Sequence, residues 1–321
     1  MFFKTNSPLF RIVLAFVLLS GASLLAEDAN TLLQQGRVDE ARAALQKTLA
    51  TQPGNALAHQ LLCRVNYAQD MAEAAIRECE AAAANDPGNS TTQVWLGRAY
   101  GMKAERANPL IAFSLARKVH AAFERAVQLD SQNVQAMSDL GEYYVDAPAI
   151  VGGGLDKARA LADRMQSRFP AQAHRLRAMA ANSDKDFATA EAEYKKAIAA
   201  GNSPAAYVDL GHFYQRRNQP EKAVAALEEA IAADHRKDFS LVDAASILIA
   251  MNRSPQPAEK ALREYLSSPA RSDDAPTFKV YKQLGDLLAR RGDEAQAHRQ
   301  YAAAIGLASN YVPARKAIQG L

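Results

Sequence analysis

The chain has 321 residues, of which 49 % are apolar and 23 % charged, with a formal net charge of +3. That composition excludes a disordered chain, and the near-neutral balance supplies no global field for holding nucleic acid or an anionic bilayer. Alanine makes up much of the apolar share, which favours helix, and no run alternates like a strand for more than a few residues.

The N-terminus stands apart. Lys4 and Arg11 are its only charges, and an apolar run follows through Ile12–Leu19, Gly21, Ala22 and Leu24–Ala26. A basic start, an apolar middle and small residues before the first acidic ones, Glu27 and Asp28, predict an export signal over residues 1–26. Cleavage after Ala26 is expected, with Ala22 as the alternative. The run is short for a membrane span of about 20 residues, although an uncleaved anchor is the competing reading. No cysteine sits near the cleavage point, which speaks against a lipid-modified N-terminus. Removing residues 1–26 takes away Lys4 and Arg11 and no acidic residue, so the net charge falls from +3 by two. No other segment is long and apolar enough to span a membrane.

From residue 27 on, the chain reads as a repeated pair of helices. Pro53-Gly54-Asn55 recurs as Pro87-Gly88-Asn89, and the same interval separates Ala41 from Ala75 and Leu45 from Cys79. Asn30–Gln35 and Asp39–Thr51 form the first pair, and Ala56–Asp86 holds the second. Its small inward residues, Cys63, Ala75, Cys79 and Ala82, let two helices approach closely. The third pair opens at Ser90 with Trp95-Leu96-Gly97 and Tyr100, and its second helix is expected only at Lys118–Leu129, leaving an inserted loop near 101–114. The fourth repeats Leu140-Gly141 and Tyr144, with a second inserted loop at 147–154 before Leu155–Arg168. The fifth, Ala173–Ala181 and Phe187–Ala200, matches least well. The sixth carries Leu210-Gly211, Tyr214, Ala223 and Leu227. The seventh spans Phe239–Ala250 and Ala258–Ser267. The eighth carries Leu284-Gly285, Ala297 and Tyr301, and Val312–Leu321 follows as a capping helix.

A period of 34 residues with two helices per unit resembles the tetratricopeptide-repeat family. More narrowly, Leu96–Gly101 and Tyr143–Ala158 resemble segments of exported bacterial repeat proteins. The resemblance implies an all-α, right-handed α-solenoid of about eight repeats over residues 27–321. It also implies a periplasmic or secreted interaction module of a bacterial cell, whose partner is an envelope protein or peptide, with no enzymatic chemistry. Some family members hold peptide C-termini with a Lys/Asn/Arg clamp, but the Asn positions of that clamp are not matched here.

Candidate chemistry is sparse. Cys63 and Cys79 lie on facing helices of one repeat, and an exported chain would permit a disulfide. In an antiparallel pair Cys63 is expected level with Ala75, one turn from Cys79, so the bond is left open. Gly152-Gly153-Gly154 lacks the GxxxxGK[ST] phosphate-loop pattern. The six histidines are scattered, so no metal site or cofactor is expected. The remaining candidate is the concave groove lined by the first helices. The residues expected there are Arg64, Tyr67, Arg98, Met102, Glu142, His212, Arg216, Lys282 and Arg290, with Arg64 and Arg98 able to grip a partner carboxylate. The alternative is a small-ligand or transport-accessory protein whose site lies under the two inserted loops.

Overall fold

The computed structural model describes residues 28–321; the export signal and its cleavage point lie outside the described residues. Helix α1 occupies residues 28–34 and pairs with α2 (Val38–Thr51). The second repeat is α3 (Ala56–Ala68) with α4 (Ala72–Asn85), and the third is α5 (Ser90–Ala104) with α6 (Pro109–Leu129). The fourth is α7 (Val134–Asp146) with α8 (Leu155–Met165), separated by a 3-10 turn at Ala149–Val151, and the fifth is α9 (Pro170–Ser183) with α10 (Phe187–Gly201). The sixth, seventh and eighth are α11 (Pro204–Arg216) with α12 (Pro220–Ala233), α13 (Phe239–Ala250) with α14 (Pro255–Ser267), and α15 (Thr277–Arg290) with α16 (Glu294–Leu307). Helix α17 (Val312–Gln319) follows, and no strand occurs among the described residues.

Local chemistry sets both ends of each unit. The Pro-Gly-Asn tripeptides end in N-caps: Asn55 accepts from the Ala58 amide at 2.9 Å and Asn89 from the Thr92 amide at 3.0 Å. Asn133 does the same for Ala136, and each such cap satisfies an amide the helix leaves free. Between the two helices of a unit, the amides of Met71, Asp186, Gln219, Arg253 and Asp293 reach carbonyls five residues back. This closure requires one left-handed residue, filled by Asp70, Lys185, Asn218, Asn252 and Gly292.

The close approach of paired helices follows one spacing. A Cβ on Gly211 would stand 2.7 Å from Leu227, and one on Gly285 would stand 2.4 Å from Tyr301. Gly97 meets Phe123 in the same way across the longer third repeat. The fifth repeat is complete and packs on both neighbours, so the stack runs unbroken through it.

The stack does not stay open. After eight repeats it returns on itself, and the last repeat and α17 pack on the first two. Ala29, Leu33, Leu61 and Val65 share one buried cluster with Phe278, Ala304, Tyr311 and Ala314. Gly36, with φ +76°, lies so close to Thr277 that a Cβ there would stand 2.5 Å from the threonine Cβ. Polar contacts bolt the same seam: Arg64 to Asp273, Lys279 to Asp70 at 2.8 Å, and the Ser309 amide to Asp39 at 2.7 Å. A helix expected only to cap one end therefore sits between both ends.

The inserted segments differ from expectation. Residues 101–114 are not a loop: α5 runs to Ala104 and α6 starts at Pro109, so the extra residues lengthen two helices. The cause is local, since Asn108 caps the Ile111 amide at 3.1 Å and Pro109 takes a first-turn position, where its missing N–H costs nothing. The glycine run is not a loose turn either. Gly152, at φ +103°, lies on the His120 ring of α6, and the Tyr143 hydroxyl reaches the carbonyls of Ala116 at 2.9 Å and Val151 at 2.7 Å. The His120 and Tyr143 rings stack at 5.4 Å between centroids. The second insertion therefore packs on the flank of α6.

Candidate functional site

The first helices present one face to the inside of the ring, and a turn of helix decides which residues share it. Residues three apart lie on one face, so Arg98 is joined by Trp95, Glu142 by Asp139, His212 by Asp209, and Asp286 by Gln283. Sequence reasoning chose Arg98, Glu142 and His212 for this face and missed Trp95, Asp139 and Asp209. Counting back three residues would have found Asp139 and Asp209.

Those missed carboxylates change the electrostatics. Arg98 donates from Nε and Nη2 to Asp139 at 2.6 and 3.0 Å, in the fork geometry guanidinium favours. Burial works against the Arg98 charge, but Asp139 outweighs it and holds the guanidinium ionised. Arg64 makes the equivalent fork with Asp273 at 2.8 and 2.7 Å. Arg175 bridges Glu142 at 2.5 Å and Asp209 at 2.7 Å. Lys282 pairs with Asp286 at 2.5 Å. Trp95 lies between two of these groups, with Arg64 at 5.3 Å and Arg98 at 4.8 Å from its ring and Tyr67 edge-on at 5.4 Å. Arg64, Tyr67 and Arg98 thus form one cluster whose cations are already spent on the chain's own carboxylates. Met102 lies one turn beyond Arg98 and is half-buried. Arg290 is exposed, with Nε at 3.4 Å from the Asp286 carbonyl.

A different part of the inner face keeps free groups. A cleft of about 310 Å³ opens between α7, α9 and α11, with Glu142, Asp146, Arg175, His212 and Arg216 on its walls. Asp146, His212 and Arg216 are exposed there, and none makes a side-chain hydrogen bond or ion pair among the described residues. Burial and then Glu142 push the Asp146 carboxyl above its usual range. Burial and then Arg216 push His212 below the usual imidazole range, so it is neutral at pH 7. The cleft thus offers one unpaired guanidinium, one uncharged imidazole and one unpaired carboxyl within one hollow. Asp243, one repeat on, meets water in the lumen, yet the surrounding protein and the carboxylates of Asp209, Asp274 and Asp238 push it up to about 6.

Cys63 and Cys79 are joined by a disulfide, with Cα atoms 5.3 Å apart. The expectation that Cys63 would lie level with Ala75 is corrected here. The cysteines have the same separation as Gly211 from Leu227 and Gly285 from Tyr301, so they occupy the closest crossing of the helix pair. That spacing was readable in the chain. Among the described residues no group of three or more His, Cys, Asp or Glu is placed to hold a metal ion, and no helix is long and apolar enough to cross a membrane.

Comparison with known proteins agrees with the repeat. Two profiles described as tetratricopeptide repeat match residues 32–99 and 204–235. No curated protein sequence matches the chain. Among solved structures, yeast Tom70 is 15 % identical with a TM-score of 0.52, over 88 % of this chain and 57 % of that one. The chain therefore spans little more than half of Tom70's length. TTC0263, a thermophilic repeat protein of Thermus thermophilus, is 17 % identical with a TM-score of 0.48, over 71 % of this chain and 99 % of that one. A tetratricopeptide-repeat protein of Parabacteroides merdae is 13 % identical with a TM-score of 0.48, over 94 % and 98 % of the two chains. At these identities the likeness concerns the fold alone. The recurring helix pairs, the glycine-spaced crossings and the two profile matches identify tetratricopeptide repeats at residues 32–99 and 204–235, in a chain whose described residues resemble a solenoid of such repeats throughout.

Proposed function

We propose that this protein is an exported interaction scaffold that receives a charged peptide segment of an envelope partner in the cleft between α7, α9 and α11. Tetratricopeptide repeats are in general interaction scaffolds rather than catalysts. The observation that carries the site is the contrast within the inner face. Arg64, Arg98, Arg175 and Lys282 are paired within the chain, whereas Asp146, His212 and Arg216 face the cleft unpaired among the described residues. A partner carboxylate would meet Arg216 and a partner cation would meet Asp146, without first breaking an internal ion pair. The export part of the reading rests on residues 1–26 and their basic and apolar order.

A photo-crosslinking residue at position 212, with position 298 on α16 as the control, tests the site in cells. A partner crosslinked from 212 and not from 298, and lost on Arg216→Glu, is expected. Equal crosslinking from both positions, or capture that ignores Arg216→Glu, refutes the cleft as the site. Residues 1–26 fused to a reporter that folds only after export test the compartment, and a reporter that stays inactive refutes it.

A further inference from the structure

The edge of the ring that carries the insertions presents apolar side chains to solvent. Leu110 is 85 % and Ile150 77 % exposed, and Ile111 and Phe113 are 46 % and 41 % exposed beside them. Exposed leucines are ordinary singly, but a group of four large apolar side chains on one edge marks a contact surface. They are displayed there by rigid structure. Helix α6 has 21 residues where α4 and α12 have 14, so it extends about 10 Å further at 1.5 Å per residue. The Asn108 cap fixes its tip. The Tyr143 hydroxyl and the Gly152–His120 contact pin the Ile150 turn against its flank.

Positive charge predominates along this tip. Between residues 101 and 120 stand Lys103, Arg106, Arg117 and Lys118 against a single acidic residue, Glu105. Arg106 and Arg117 are exposed and make no ion pair among the described residues. Lys103 reaches Glu73 only at 3.8 Å, and Lys118 lies over the Tyr100 ring at 4.9 Å. A near-neutral chain thus concentrates positive charge at the edge where these four apolar side chains project.

We propose that this edge docks on an anionic lipid surface. Leu110, Ile111, Phe113 and Ile150 enter the boundary between headgroups and acyl chains, while the flanking cations meet lipid phosphates. Shallow burial of apolar side chains with cations beside them is the recipe of an interfacial contact, and each component alone binds weakly. Its residues are not among those on the walls of the peptide cleft, and the proposal does not depend on that cleft.

The test uses residues 27–321, the chain left by the expected cleavage after Ala26. Flotation with vesicles of equal parts phosphatidylglycerol and phosphatidylcholine is compared with vesicles of phosphatidylcholine alone, alongside sedimentation without lipid. Wild type should float with the anionic vesicles, less so at high salt and less with phosphatidylcholine alone. Leu110→Asp/Ile150→Asp should weaken partitioning at least about tenfold, and Arg106→Glu/Arg117→Glu should remove the preference for phosphatidylglycerol. Both changes lie at exposed positions, and an unchanged circular dichroism melt confirms the fold. Wild type that stays with the soluble fraction, or apolar variants that float equally, overturns the proposal. A wild-type dimer that Leu110→Asp/Ile150→Asp converts to monomer also overturns it, because a second copy would then cover the edge.

Discussion

Replacing Asp273 by Asn tests whether the ring is closed. Asp273 accepts two bonds from Arg64 across the seam, and the side chains are 8 % and 15 % exposed respectively. An exposed ion pair is worth about 0–1 kcal/mol, and breaking a fully buried one costs about 3–5 kcal/mol. These exposures lie near the buried end, and an Asn carbonyl could keep one of the two bonds. The expected cost is therefore about 2 kcal/mol, a factor of about 30 in the local opening equilibrium. In an open stack each repeat touches only its neighbours, so damage at residue 273 would stay in α14–α16. In the closed ring the same change also frees α3, whose Arg64 lies 209 residues earlier in the chain, and α1, whose Asn30 that arginine also meets. Amide hydrogen exchange read by mass spectrometry separates the two. Faster exchange in α1–α3 as well as α14–α16 is expected, together with a lower urea midpoint. Faster exchange confined to α14–α16, with α1–α3 as in wild type, would refute the closure.

Cys63→Ala/Cys79→Ala should lower stability by about 3 kcal/mol in the chain-entropy account. Adding reductant to wild type should reproduce most of that loss in a denaturant titration, and a reductant-insensitive midpoint would show the bond absent. Cys63→Gly/Cys79→Leu should be more stable than the double alanine variant, because it copies the crossing that Gly211 and Leu227 already make. Asp243→Asn probes the lumen. The folded carboxyl titrates at about 6, above the unfolded value of about 3.9, so between those values the folded protein holds a proton that the unfolded chain releases. Ionising Asp243 thus opposes folding; the penalty is absent below about pH 4 and complete once pH has risen past the folded value. Asp243→Asn should raise the melting temperature at pH 7.5 and leave it unchanged at pH 4. An equal shift at both pH values would assign the effect to something other than charge.

The repeat itself was legible in the chain because its causes are local. Asn55, Asn89 and Asn133 cap helices through contacts three residues away, and Gly97, Gly211 and Gly285 mark where paired helices cross. Such signals recur at the period of the unit and need no knowledge of distant parts. The inner-face positions of Arg64, Arg98, Glu142 and His212 followed from the same period. What those side chains do there did not follow. Arg64 meets Asp273 only because small rotations between repeats add up, over eight units, to a full return, and no single stretch encodes that sum. Closure therefore decided which arginines are paired and which groups remain free in the cleft. It also placed α17 between the two ends of the chain. Helix propensity could have warned that 101–114 would not loop out, but the contact of Gly152 with His120 depends on how two repeats stack. Sequence alone determined the unit and its number; the tertiary structure decided the ring, because closure is a long-range sum of geometry while caps and crossings are short-range chemistry.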